Sequence, residues 1–318
     1  MRARRRTEPA RLRRVAGRSP ELIAAAAQCA CLLEVMAQKP GNVSRGRDLP
    51  GLTYRDFILS AMALGRTFRF ARRRRVGRLI LDAVRETRRL VRTNTNLGMV
   101  ILMAPLARAA AMPGHTPLRA RLRRVLQELD LRDARDTYEA IRIAEAGGLG
   151  RVDQQDVRQP PTATLLECMR LASARDAVAR EYVDDYRVTF ETALPLLLRA
   201  REAHLPLPIA VAETSLQLLA RIPDTLIARK HGGAAARRVS RGAASVLAAG
   251  GQATAAGRRR LARFDRRLRT ARPPLNPGAT ADIVAVALFV WILESGMPPD
   301  DPVRRPQSPR RSCVRARR

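Results

Sequence analysis

Apolar residues recur along this chain at spacings of three and four, in blocks separated by short polar or Gly/Pro-containing breaks. No segment shows the strict alternation of a half-buried strand. The blocks predict helices over 21–38, 54–70, 76–91, 97–111, 118–129, 134–146, 163–174, 178–202, 207–222, 234–249, 257–270 and 280–294. Start signals support two of them: Ser19 followed by Pro20 at the first helical position, and Thr53 with Asp56 three residues on, close to a capping box. The 76–91 segment is amphipathic, with Val76, Leu79, Ile80, Ala83, Val84, Thr87 and Leu90 on one face. The 97–111 segment is apolar nearly all round and should lie inside a bundle. Gly147-Gly148-Leu149-Gly150 and Gln159-Pro160-Pro161 are breaks. The expected fold is all-α: a single compact multi-helix domain of about a dozen helices over 19–297. A disordered Arg-rich tail (1–18) and a disordered Arg/Pro-rich tail (298–318) are expected to flank it.

Composition adjusts this picture in three ways. An apolar fraction of 46% over 318 residues can fill a core, and with aromatics at only 3%, Ala, Leu and Val must supply most of it. The net charge of +31 invites a nucleic-acid or polyanion partner. Yet only Lys39 and Lys230 are lysines, so the charge is nearly all arginine and reads as compositional bias; scarce aromatics also argue against base stacking. Nucleic acid is therefore not the expected partner. The longest uninterrupted apolar run, about 283–293, falls short of the roughly 18–20 residues of a membrane span. No apolar core in the N-terminal stretch suggests a signal, and its few Ser and Thr speak against a transit peptide. A soluble, cytoplasmic protein is expected, with a homo-oligomer left open. Cys29, Cys31, Cys168 and Cys313 lack paired spacing, and His115, His204 and His231 read as surface residues, so neither a disulfide framework nor a zinc site is expected.

Four polar islands interrupt the apolar pattern: 39–42, 93–98, 223–229 and 276–282. Three stand immediately before apolar runs that read as long helices, where free backbone N–H groups bind phosphate readily. In the first, Gly41 and Gly46 permit close backbone approach, Asn42 is polar, Lys39, Arg45 and Arg47 suit phosphate, and Asp48 is a potential metal ligand. A helix-ending turn with a solvated loop is the plainer alternative. In the second, Asn94, Thr95 and Asn96 before Gly98 offer more polarity than a cap requires. In the third, Asp224, Thr225 and Arg229 set an acid and a guanidinium about a turn apart, able to hold a metal and a phosphate, or merely to cap a helix. In the fourth, Asn276, Gly278 and Thr280 open a helix whose Asp282 stands among apolar residues. Glu34 also sits on a largely apolar helix, as a catalytic carboxylate or as the partner of a cation.

Taken in order, Glu34 with Lys39–Pro40–Gly41, Asn94-Thr95 with Gly98, Asp224-Thr225 with Arg229, and the segment 276–282 resemble the motifs of the triphosphoribosyl-dephospho-CoA synthase family over about residues 29–295. The resemblance implies a transferase that takes the triphosphoribosyl group from ATP, joins it to the 2′-hydroxyl of dephospho-CoA and releases adenine. Mg²⁺ would accompany the triphosphate, with Asp224 and Asp282 as its ligands. Glu34, Asp48, Asp224 and Asp282 would serve the cation-like sugar, and Lys39, Arg45, Arg47 and Arg229 the phosphates.

The chain also departs from the bacterial pattern. Gly46 stands where those enzymes carry His before an Asp-Met pair, and Asn96 and Leu97 replace a His-Lys pair. These spellings resemble a divergent branch of the family. Two alternatives follow: a related ribosyl- or phosphoribosyl-type transfer to another acceptor, such as a pterin-pathway intermediate, and a non-enzymatic RNA- or polyanion-binding helical protein.

Overall fold

The computed structural model describes residues 17–296. Among them the chain forms fourteen α-helices and no strand; the only bridges are isolated pairs, Ser44 with Arg47 and Leu49 with Leu52, in the loop after the first helix. The helices are α1 (Pro20–Met36), α2 (Tyr54–Phe68), α3 (Val76–Leu90), α4 (Leu97–Ala110), α5 (Leu118–Gln127), α6 (Leu131–Ile143), α7 (Leu165–Ala172) and α8 (Ala177–Val183). A π-helical turn, Thr189–Ala193, leads into α9 (Leu194–Glu202), followed by α10 (Leu207–Arg221), α11 (Thr225–His231), α12 (Gly233–Ala248), α13 (Ala255–Thr270) and α14 (Gly278–Ser295). The whole expected C-terminal tail and most of the N-terminal one lie outside the described residues. Of the N-terminal one, Gly17 and Arg18 are described, and the Arg18 N–H donates to the Ala110 carbonyl at 2.9 Å.

The start signals act as the sequence suggested. Ser19 Oγ accepts from the Leu22 N–H, and Thr53 with Asp56 forms a complete capping box. Two further boxes, Asp130 with Asp133 and Thr164 with Glu167, start α6 and α7 away from the expected boundaries at 134 and 163. The expected 178–202 helix is broken. Asp185 and Tyr186 take positive φ (50° and 58°), and the Glu181 carboxylate caps the restart by accepting from the Val188 and Thr189 N–H groups at 3.0 and 2.9 Å. The break has a packing consequence in α4. Pro105 lacks the N–H that would bind the Ile101 carbonyl. The buried Tyr182 hydroxyl donates to that carbonyl at 2.7 Å, and the Tyr186 hydroxyl donates to Leu102 at 2.8 Å.

Helix α14 is the hub, packed against α1, α4, α8, α9, α10, α11 and the π-helical turn. It is apolar on every side, as a helix surrounded by helices must be. At 18 residues and mean hydropathy 1.6 it is long and apolar enough to cross a membrane, which the count of uninterrupted apolar residues had not registered. It lies largely buried, with Phe289 edge-on to Phe68 of α2. A smaller apolar cluster joins α10, α11, α12 and α13, and a third, of Val35, Val43 and Leu49, closes the loop after α1 onto α2.

Candidate active site

The N-termini of α4 and α14 meet at a cavity of about 380 Å³, closed further by the end of α1, the start of α8, α11 and the 145–149 segment. Neither α4 nor α14 has a side-chain cap at its Ncap residue. Some of their first-turn N–H groups are already engaged, Leu97 by Asn94 Oδ1 at 3.3 Å and Thr280 by Asp224 Oδ2 at 2.7 Å; those left over make each terminus a potential anion site.

Asp282 sits one turn into α14 with its carboxylate against the backbone of Gly98 in the first turn of α4. A Cβ at position 98 would lie 2.0 Å from Asp282 Oδ2, so only glycine leaves room for that carboxylate. Among the described residues, Asp282 forms no hydrogen bond or ion pair. Burial holds its pKa well above the usual carboxylate range, reinforced by the negative charges of Glu34, Asp224 and Asp176 and only partly opposed by Arg229.

Glu34, near the end of α1, also lines the cavity and is almost wholly buried. Lys39 Nζ stands 3.0 Å from Glu34 Oε1, an ion contact without hydrogen-bond alignment. The same ammonium donates to the carbonyls of Glu34 and of Ala37, the latter at 3.0 Å. Burial raises the Glu34 pKa against the opposing pull of Lys39. Lys39 is therefore not a free phosphate ligand. It closes the C-terminus of α1 and fixes the Glu34 side chain.

The rest of the first island divides. Asn42 lines the cavity and donates through Nδ2 to Asn276 Oδ1 at 2.7 Å, tying this loop to the approach to α14, while its own Oδ1 is buried without a partner. The Gly41 N–H donates to Asp265 Oδ1 at 2.8 Å, and Arg47 pairs with Asp265 Oδ2 at 2.7 Å. Gly41 has φ 75°, and a Cβ there would meet the Leu275 carbonyl at 2.8 Å. Asp265 of α13 thus bolts the loop down, a role no local signal announced. Asp48 is exposed and accepts from the Tyr54 N–H at 2.7 Å, serving the start of α2. Arg45, Arg47 and Asp48 are not among the residues that line the cavity.

From the second island, Asn94, Thr95, Leu97 and Gly98 line the cavity. Thr95 Oγ1 shares a 2.5 Å hydrogen bond with Ser60 Oγ. Asn96 is buried beside it, its Nδ2 directed to the Ser60 carbonyl and Thr87 Oγ1.

The third island is itself helix α11, not the prelude to a long apolar one. Asp224 caps it through Oδ1, which accepts from the Ile227 N–H at 3.0 Å. Its Oδ2 accepts from the Thr280 N–H and Oγ1 at 2.7 and 2.8 Å. Burial raises its pKa against these bonds. With both oxygens engaged and the side chain out of the cavity, Asp224 does not fit a metal shared with Asp282. It staples α11 to the first turn of α14. Thr225 is likewise inward, its Oγ1 accepting from the Ala177 N–H at 3.0 Å.

Arg229 does reach the cavity, paired at 2.5 Å with Asp176 Oδ2. Asp176 caps α8 through its other oxygen. That residue, with Glu145, Gly147 and Lys230, completes the polar lining and was not foreseen. Asp176 carried an N-cap signature before Ala177-Val178, but nothing local to it pointed to an arginine 53 positions away. Gly278 lines the wall at a site where a Cβ would meet Leu226 Cδ2 at 2.5 Å.

The family model described as ATP:dephospho-CoA triphosphoribosyl transferase matches residues 20–300. Among curated proteins, the 2-(5''-triphosphoribosyl)-3'-dephosphocoenzyme-A synthase of Pseudomonas paraeruginosa is 38% identical over 97 residues, 30% of this chain and 32% of its own length. The Klebsiella pneumoniae protein of that name is 35% identical over 98 residues, 31% of this chain and 34% of its own. The chain thus spans about a third of the length of these curated relatives. A crystal structure from Archaeoglobus fulgidus, described as a triphosphoribosyl-dephospho-CoA synthase, superposes with a TM-score of 0.58 at 26% identity. That match covers 75% of this chain and 99% of the other. The chain belongs to the ATP:dephospho-CoA triphosphoribosyl transferase family.

Proposed function

We propose that the protein transfers the triphosphoribosyl group of ATP to the 2′-hydroxyl of 3′-dephospho-CoA and releases adenine. The observation that carries this reading is the uncommitted Asp282 carboxylate, seated on glycine where the N-termini of α4 and α14 meet in a cavity that also holds Glu34 and Arg229. The acceptor oxygen forms a bond to C1′ of the ATP ribose as the C1′–N9 bond breaks. Adenine leaves with the bonding electron pair and takes up a proton, and the hydroxyl proton passes to Asp282. Its carboxylate, held against the Gly98 backbone and committed to no other group, is placed to accept that proton. Glu34, fixed by Lys39, places its carboxyl group beside the sugar as it becomes cation-like.

The triphosphate is served by the first-turn N–H groups that the Asn94 and Asp224 bonds leave over, those of Gly98 in α4 and Ala279 in α14, with Lys230 supplying positive charge. Among the described residues no group of three His, Cys, Asp or Glu side chains is gathered for a metal, and Asp224 does not fit the expected pair with Asp282. Mg²⁺ would therefore come as the counter-ion of the donor's triphosphate, held mainly by phosphate and water.

The test is Asp282→Asn with ATP, Mg²⁺ and dephospho-CoA. Adenine release should fall by about 10²-fold or more, the size expected for loss of a positioned base, while ATP still binds and the protein stays folded. Native turnover in this variant would remove the assignment. A second reading, transfer to another ribosyl-type acceptor, is favoured by one observation: Asn96 is turned inward and Leu97 presents an apolar side chain to the cavity, so this segment contributes no titratable or cationic group. Adenine release that requires a different co-substrate would support it.

A further inference from the structure

Beside the Asp282 cavity lies a second one of about 540 Å³, walled by α6, α7, α8 and the 149–157 segment. The two share Ile101, Ile141, Leu149, Asp176, Val178 and Arg229, so they adjoin at the Arg229–Asp176 ion pair. Their characters differ. The first has two helix N-termini, Asp282 and Glu34; the second is faced mainly by apolar groups, among them Leu165, Met169, Leu171 and Ala172. Leu171 is 51% exposed, a large apolar side chain left facing solvent at the end of α7. Its size falls within the roughly 300–1,000 Å³ typical of small-molecule pockets.

We infer that this second cavity seats the pantetheine arm of the acceptor, with the acceptor's diphosphate lying at Arg229. The inference rests on the proposed transfer to dephospho-CoA and adds where and how that acceptor is selected. Both substrates must be bound together, and each carries an adenosine phosphate, so the adenosine end cannot tell acceptor from donor. The arm can: it is long, uncharged and largely apolar, with a few amide and hydroxyl groups. A mainly apolar space that opens onto the reacting cavity through a guanidinium matches that order of groups along the molecule. Arg229 has the capacity for it, since its Nε is buried without a partner while Nη1 is held by Asp176. Donor triphosphate has no use for such walls, which gives the two substrates separate seats.

Two variants and one inhibitor test this. Ala172→Phe fills the second cavity, and Leu171→Asp places a charge on its wall at an exposed position that should tolerate it. In each, KM for dephospho-CoA should rise at least about tenfold, equivalent to 1.4 kcal/mol, while KM for ATP and kcat at saturating acceptor stay within about twofold of native. Free pantetheine should inhibit the native protein in competition with dephospho-CoA and not with ATP, a result that does not depend on either variant folding. An unchanged KM for dephospho-CoA in the folded variants, or pantetheine that does not compete, would put the arm elsewhere and overturn the inference while leaving the transfer reaction standing. A native protein that releases no adenine with dephospho-CoA would overturn the acceptor reading itself, and this seat with it.

Discussion

Gly98→Ala isolates the contact between α4 and Asp282. The backbone at Gly98 is ordinary right-handed helix, so alanine is acceptable there and should help the helix by about 0.5–1 kcal/mol. The new methyl, however, would start 2.0 Å from Asp282 Oδ2, and real Cβ atoms essentially never show contacts below 3.0 Å. The carboxylate must retreat by at least the difference, about 1 Å. A displacement of that size in a reacting group is worth about 10²-fold in rate, or about 2.7 kcal/mol of transition-state stabilisation. Adenine release measured by chromatography should therefore fall about 100-fold while the urea unfolding midpoint holds or rises. Gly278→Ala is the control: its Cβ would meet only the tip of the Leu226 side chain, which can rotate away, so activity should stay near native. Native turnover in Gly98→Ala would refute the claim that the position of Asp282 on α4 matters.

Three further outcomes are expected. Tyr182→Phe strands the Ile101 carbonyl that Pro105 already leaves without a helical partner, and should lower unfolding stability by about 1–3 kcal/mol in denaturant titrations; an unchanged midpoint would mean another donor takes over. Asp224→Asn leaves one acceptor oxygen for bonds that now use two, so it should destabilise the protein by about 1–3 kcal/mol and not act as a pure catalytic lesion; loss of activity with unchanged stability would restore Asp224 as a reacting group. Because Asp282 binds its proton more tightly folded than unfolded, its contribution to stability is full below the unfolded pKa of about 3.9. It is lost as pH rises through the raised folded value. Native protein should therefore lose stability relative to Asp282→Asn as pH increases from about 4 toward neutrality, and parallel pH–stability curves would contradict the raised pKa.

The legibility of the site in the sequence was uneven for physical reasons. Glu34 and Asp282 were visible because an acid on an otherwise apolar helix needs a compensating role, and both line the cavity. Gly98 and Gly278 were visible as the glycines of two polar islands that lead into helices. Asp224 was equally visible, but its Pro-Asp-Thr setting is also what an N-cap looks like, and a cap that is also a tertiary staple to Thr280 has the same local sequence as a metal ligand. Lys39, Arg47 and Asp48 looked like ligand groups because they are charged and close in sequence. The first two are consumed by Glu34 and Asp265, and the third serves the start of α2. Asp176 gave only a capping signal, since its partner Arg229 lies on another helix.

The 178–202 segment marks a similar boundary. Its apolar spacing fits one continuous helix, and only the packing of Tyr182 and Tyr186 against α4 shows why it turns at Asp185. What the sequence by itself determined was helix: apolar periodicity, caps and the scarcity of aromatics are local quantities, and they specify the all-α class and the interior position of α4 without any knowledge of neighbours. What only the tertiary structure decided was which charges are spent on one another and which are left for a ligand. That outcome depends on distances between residues tens to hundreds of positions apart, such as Gly98 and Asp282, or Gly41 and Asp265, and no local pattern encodes them.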